Sequence, residues 1–148
     1  MSSWGPLFIL NCQALRCFFK SKKLCAVSVA LVTSILDYFA LRAIRTHDIF
    51  HVIMNMGTSK FDEYYLFAVQ LAQFGASSQL MMLAAGMVQV AMQHPDDVIP
   101  FMDKIVKCFE AGKQMKFLNA YPFEDNFHKP LSEVRAELNA PEWVAQGL

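Results

Sequence analysis

The sequence predicts an all-α, single-domain helical bundle, and three observations predict it. No run of alternating apolar and polar residues is long enough to make a β-strand. Apolar residues instead recur at helical spacing, over 59–74 and again over 77–93. Third, His47-Asp48-Ile49-Phe50-His51 is followed after eleven residues by Glu63. That is the spacing expected if one helix ends, the chain turns, and a second helix starts.

The composition bounds what such a bundle can do. A chain of 148 residues makes one domain with a real core. Hydrophobic residues are 55% and charged residues 18%, against roughly 45–50% and about a quarter in ordinary globular domains. The excess must enter a larger core, a membrane face or a partner surface. A formal net charge of zero argues against nucleic acid as a partner. Nine Met and thirteen Phe favour an adaptable apolar cavity or surface. Cys12, Cys17, Cys25 and Cys108 form no CxxC pair. A disulfide framework or a cysteine zinc site is therefore not indicated, a reducing compartment is, and the four read as small buried apolar residues.

Taken in order, 1–40 reads as an N-terminal apolar and basic helical segment. Arg16, Lys20, Lys22 and Lys23 all precede the first acid, Asp37. Such a segment fits an anionic membrane surface or a partner contact, and it shares its acid-poor composition with mitochondrial targeting segments. The uncharged run 24–36 is thirteen residues long, short of the roughly 20 a membrane span needs, and reads as a buried or interfacial helix.

The next helix is expected over 41–56, with Gly57 able to end it and Thr58 or Ser59 able to cap the following one. That following helix runs over 59–74 and stops at Gly75, and a very apolar one follows over 77–93. Within the latter, Ala84, Ala85 and Gly86 allow close approach of a neighbour or a lipid chain. His94-Pro95-Asp96-Asp97 stops it and starts a helix running to about Met115. Tyr121-Pro122 breaks the chain, Pro130 suits the start of a last helix, and 141–148 is a tail with Trp143 as a docking anchor.

The chemistry sits in the hairpin. His47 and His51 are one helical turn apart on one face, so two imidazoles can share a metal ion. Asp48 precedes His51 by three residues, and its carboxylate can swing to the same side. Glu63 falls in the first turn of the second helix, and in an antiparallel hairpin all four side chains can meet. Two nitrogens and two carboxylates suit zinc, with iron or manganese as alternatives. The plain alternative is a surface histidine pair that binds nothing. Asp48 in place of glutamate separates the pattern from the metalloprotease HExxH. Tyr64 and Tyr65 follow Glu63 and can offer a hydroxyl to a metal ligand. Arg42 and Arg45 can receive an anionic head group or lie as solvated surface charges. His94 reads as a loop histidine, and His128 has no ligand partner nearby.

His47, Asp48, His51 and Glu63 together resemble the H-D-x-x-H-x11-E signature of a ubiquinone-biosynthesis family, the Coq-four family. The flanking Leu41-Arg42 and Arg45-Thr46 agree, and 129–138, running from Lys129-Pro130-Leu131 to Glu137-Leu138, is similar to its closing "PLEEVRxEL" helix. The resemblance covers about 40–139, so that 41–140 forms the family-like core. The family's usual Gly before the glutamate is Asp62 here.

The resemblance implies a peripheral membrane protein of ubiquinone biosynthesis. It would carry out zinc-dependent C1 decarboxylation of a polyprenylated hydroxybenzoate, scaffold the biosynthetic complex, or both. It implies His47, Asp48, His51 and Glu63 as metal ligands, an apolar cleft for the isoprenoid tail, and other subunits of a membrane-associated complex as partners. It places the chain on the matrix side of the mitochondrial inner membrane, or on the cytoplasmic membrane face if bacterial. The competing expectation is a non-catalytic structural subunit of a larger membrane respiratory complex that keeps the fold and a metal or lipid site.

Overall fold

The structure, a computed structural model, describes residues 34–147. The basic N-terminal segment, with Cys12, Cys17 and Cys25, lies outside the described residues. The described residues form seven α-helices, two 3₁₀ turns and no strand, as the periodicity predicts. They are α1 (Ile35–Met54), α2 (Lys60–Phe74), α3 (Ser77–Gln93), α4 (Val98–Gln114), α5 (Phe123–Asn126), α6 (Leu131–Glu137) and α7 (Glu142–Gln146), with 3₁₀ turns at Pro95–Asp97 and Leu118–Ala120.

Local chemistry sets most of the boundaries. Ser34 caps α1, accepting from the Asp37 amide at 3.1 Å while the Asp37 carboxylate accepts from the Ser34 amide at 2.9 Å. This reciprocal box starts the helix ahead of the expected residue 41. α1 also ends earlier than expected. Asn55 takes the left-handed conformation (φ 53°, ψ 40°) and closes the helix, so Gly57 is not its terminator. Asparagine visits that region at low cost. Ser59 caps α2 and Gly75 ends it at φ 63°. Asp97 precedes α4 without any side-chain capping bond, and the 3₁₀ turn Pro95–Asp97 leads into the helix. The expected tail is instead the short helix α7, with Val144 fully buried and Lys107 5.6 Å from the Trp143 ring centre.

α2 is the middle of the bundle, packed most extensively on α4 and next on α3. Two glycines permit this. At Gly86 a β-carbon would sit 2.9 Å from the Tyr64 ring, and at Gly112 it would sit 2.6 Å from the Val69 carbonyl oxygen. Of the small residues expected to admit a neighbour, Gly86 does so, whereas Ala84 and Ala85 are exposed. Phe50, Ile53 and Met54 of α1 join Leu66, Val69, Leu118, Phe123, Val134 and Leu138 in the core. Ile44, further toward the start of α1, is half exposed. Cys108 is buried, and burial pushes its thiol up to about 12, in keeping with an inert apolar filler.

The apolar excess goes only partly into this core. α3 buries Leu83, Gly86 and Val90, while Met81, Val88 and Met92 on its outer side are 72%, 60% and 79% exposed. No described helix is long and apolar enough to cross a membrane.

Because the obstacle at Gly112 is backbone rather than a movable side chain, Gly112→Ala must push α4 off α2. The expected loss is about 1–3 kcal/mol of unfolding free energy, measured by urea titration. An unchanged midpoint would mean that the helices do not approach so closely.

Candidate metal centre

The end of α1 and the start of α2 are joined by five residues, 55–59. On the α1 side, the Asn55 amide donates to the Val52 carbonyl at 3.2 Å and the Met56 amide to the His51 carbonyl at 2.9 Å. On the α2 side, the Asp62 carboxylate accepts from the Ser59 amide at 3.0 Å and the Ser59 hydroxyl at 2.7 Å. A β-carbon at Gly57 would lie 2.8 Å from this Asp62 oxygen. Gly57 thus makes room for the carboxylate, and Asp62 is committed to the turn. Its neighbour Glu63, one position further round the helix, faces α1.

There Glu63 meets both histidines. Glu63 Oε2 lies 3.0 Å from His47 Nε2, Glu63 Oε1 lies 3.2 Å from His51 Nε2, and the two Nε2 atoms are 3.1 Å apart. His51 is buried, its side chain 6% exposed, while His47 and Glu63 are 27% and 37% exposed. Three acceptor-rich groups converge, and a hydrogen on one imidazole cannot satisfy all three contacts. His51 Nδ1 is also buried without a hydrogen-bond partner.

The donor set matches the spacing that a divalent ion requires. Tetrahedral ligand atoms about 2.0–2.1 Å from a zinc ion stand roughly 3.3 Å from one another, close to the three separations seen. His47, His51 and Glu63 form a group that can hold a metal ion. Two imidazoles and a carboxylate fit a site that keeps one position for a further ligand.

Asp48, the fourth expected ligand, stands outside the group. Neighbouring residues on a helix point about 100° apart, so Asp48 does not share the direction of His47, and it acts on His51 through its charge. Tyr64 donates its hydroxyl to Gln89 of α3 at 2.9 Å, and the Tyr65 ring packs on Phe101. Neither serves a metal ligand, because α2 aims both at its partner helices. Arg42 is occupied as well: it donates to the carbonyls of Asn119 (2.7 Å) and Tyr121 (2.8 Å) and forks onto Glu124. The Glu124 partnership raises its pKa. The expected head-group role of Arg42 gives way to a structural one, tying α1 to the 3₁₀ turn at Leu118–Ala120 and the start of α5. Arg45 is exposed, as are His94 and His128.

The Asp62 capping box was missed in the sequence although Ser59-x-x-Asp62 is a readable S-x-x-acid pattern. A second missed residue is Arg135, whose guanidinium donates to the carbonyls of Ile53 (2.8 Å) and Val52 (2.9 Å) at the end of α1. No local signal at position 135 predicts a partner more than eighty residues away.

A cavity of about 150 Å³ lies on the α2–α3 side, lined by Lys60, Phe61, Tyr64, Gln89, Val90, Gln93 and His94. It is smaller than the roughly 300–1,000 Å³ of drug-sized ligand sites, so it is not the expected cleft for an isoprenoid tail.

Burial holds the His51 imidazole below its ordinary value of 6.5; the Glu63 charge opposes this and His47 adds to it. The unfolded chain therefore takes the proton more readily than the folded one. The contribution to stability is present above about 6.5 and is lost as the pH falls toward the folded value. Metal-free protein is expected to unfold at lower denaturant at pH about 5.5 than at pH about 7, and His51→Gln is expected to shrink that difference. Identical pH dependence in the variant would remove His51 as its source.

No curated relative matches the chain. Among solved structures, the fold is similar to a Nostoc punctiforme PCC 73102 protein described as a ubiquinone biosynthesis protein. The TM-score is 0.66 and the identity 29%, over 72% of this chain and 52% of that one. The chain thus spans about half the length of that relative. The model of the family described as coenzyme Q (ubiquinone) biosynthesis protein Coq4 matches residues 28–142. That match takes in all of α1 to α6, both histidines and the glutamate, and the chain belongs to the Coq4 family.

Proposed function

We propose that this chain acts in ubiquinone biosynthesis through a zinc ion held by His47, His51 and Glu63, with iron or manganese as alternative ions. The reaction proposed is removal of the C1 carboxyl group from a polyprenylated hydroxybenzoate at a membrane surface. The observation that carries the reading is the convergence of two imidazole nitrogens and one carboxylate, 3.0–3.2 Å apart, in a member of this family.

When bound, the ion would supply Lewis-acid stabilisation of negative charge on substrate oxygens. The protein's part is positional. His51 is the buried anchor, and Phe50, Ile53 and Met54 behind it are fully buried, which excludes water from that side. His47 and Glu63 form the open side, from which a carboxylate-bearing ring would arrive. Asp48, which acts on His51 through its charge, biases the site electrostatically rather than ligating. Loss of carbon dioxide leaves the bonding pair at the ring carbon, where a proton replaces the carboxyl group.

The exposed apolar faces of α3 (Met81, Val88, Met92) and α4 (Ile99, Val106) favour a second role that is compatible with the first. These faces suit a membrane surface or other subunits of a membrane-associated complex, at the matrix side of the mitochondrial inner membrane or a bacterial cytoplasmic face. A non-catalytic subunit would keep these faces and the metal without turnover.

Metal analysis of purified protein is expected to give about one zinc per chain, lost in His47→Ala and in His51→Ala. A full equivalent in both variants would refute the ligand assignment. With metal present, release of carbon dioxide from polyprenylated 4-hydroxybenzoates distinguishes the enzyme from the structural subunit.

A further inference from the structure

We infer that Arg135 is a positioning residue for the metal ligands: from α6 it grips two consecutive carbonyls in the last turn of α1 and so fixes His51 against Glu63. This rests on the proposed metal site.

The grip is specific in its geometry. Arg135 Nε donates to the Ile53 carbonyl at 2.8 Å and a terminal nitrogen donates to the Val52 carbonyl at 2.9 Å. A planar guanidinium fork can take two adjacent acceptors at once, whereas an ammonium is a single point. Among the described residues Arg135 forms no salt bridge to a carboxylate, and burial lowers its pKa from the arginine value. A part-buried cation without an acid partner must find its negative charge elsewhere. Here it faces the negative end of the α1 dipole.

The base of the grip is rigid. Val134 and Leu138, flanking Arg135 on the inner side of α6, are 1% and 0% exposed, and the Leu138 carbonyl accepts from the Lys116 amide at 2.9 Å. The turn that is held is the one that carries His51. Its own carbonyl accepts from Met56, Val52 accepts from both Asn55 and Arg135, and Ile53 accepts from Arg135. Glu63 is fixed separately, by the box that starts α2. Nothing in α2 can follow if the end of α1 tilts, so the distance between His51 and Glu63 depends on what holds that end. A donor from the last quarter of the chain does so.

The test compares the full chain with R135K, R135M and E137Q. Glu137 sits on the same short helix but serves Tyr121 and Lys129, so its loss removes an α6 bond that does not reach α1 while the buried Val134 and Leu138 still hold the base of the grip. Zinc affinity is measured by competition with a chromophoric chelator, and amide exchange at Asn55 and Met56 is measured on metal-free protein. The wild type is expected to bind one ion, R135M to bind it roughly ten- to hundredfold more weakly, R135K to recover only part, and E137Q to match the wild type. Exchange at Asn55 and Met56 should speed up about tenfold or more in R135M and stay slow in E137Q. Wild-type affinity in folded R135M overturns the inference, as does an equal loss in E137Q. If R135M does not fold, R135K decides, and wild-type affinity and exchange there overturn the two-carbonyl grip. A wild type that binds no zinc refutes the metal reading instead, and the exchange data still test the grip alone.

Discussion

A helix that stops inside a folded chain leaves its last carbonyls to be paired, and α1 stops in the middle of this one. The donors come from two places. The turn itself supplies the amides of Asn55 and Met56, α6 supplies Arg135, and the Asn55 side chain in turn donates to the Ala145 carbonyl of α7 at 3.4 Å. The C-terminal third of the chain is therefore not an appendage. It is where α1 finds its closing partners, and Val134, Leu138 and Val144 beside them are fully buried. A charge-assisted bond to a carbonyl contributes about 1.5–3 kcal/mol, more than a neutral one, which suits the part-buried Arg135.

The five-residue turn then divides labour between two adjacent acids. Asp62 closes the capping box with Ser59 and is accommodated by the missing side chain of Gly57. Glu63, about 100° further round α2, is released toward the histidines. A family glycine at position 62 would leave the box open. In this chain the acid strengthens the turn without entering the site, and Glu63 still reaches both imidazoles.

What could be read from the sequence follows the range of the forces involved. α2 and α3 are found at nearly their expected bounds because Ser59, Gly75 and His94-Pro95 act within a few residues of themselves. His47, His51 and Glu63 were legible because one turn of helix and one short connection determine their separation. α1 was misjudged at both ends by signals that were present: Ser34 with Asp37 at the start, and Asn55, which reached the left-handed region before Gly57 was needed. Asp48 stands outside the group because a three-residue spacing from His51 does not also give it the direction of His47. Arg42 and Arg135 could not be read at all, since their acceptors, the carbonyls of Asn119, Tyr121, Val52 and Ile53, are backbone groups with no side-chain signature and lie roughly eighty residues away.

The face that bears the two histidines runs from the core to the surface within a single turn of α1, and this asymmetry prepares the site. His51 sits deep, where desolvation disfavours the imidazolium and keeps a ring nitrogen free of its second proton. His47 and Glu63 sit shallower, where water and a ligand can reach them. A cation is the species that satisfies all three groups at once, because it accepts both lone pairs and the carboxylate where a proton could serve one pair. The protein thus holds His51 ready by burial and His47 and Glu63 by reach. The direction of approach is set by the helix rather than by a loop, because His47 and His51 share one α-helical face that packs on α2 only beside the turn.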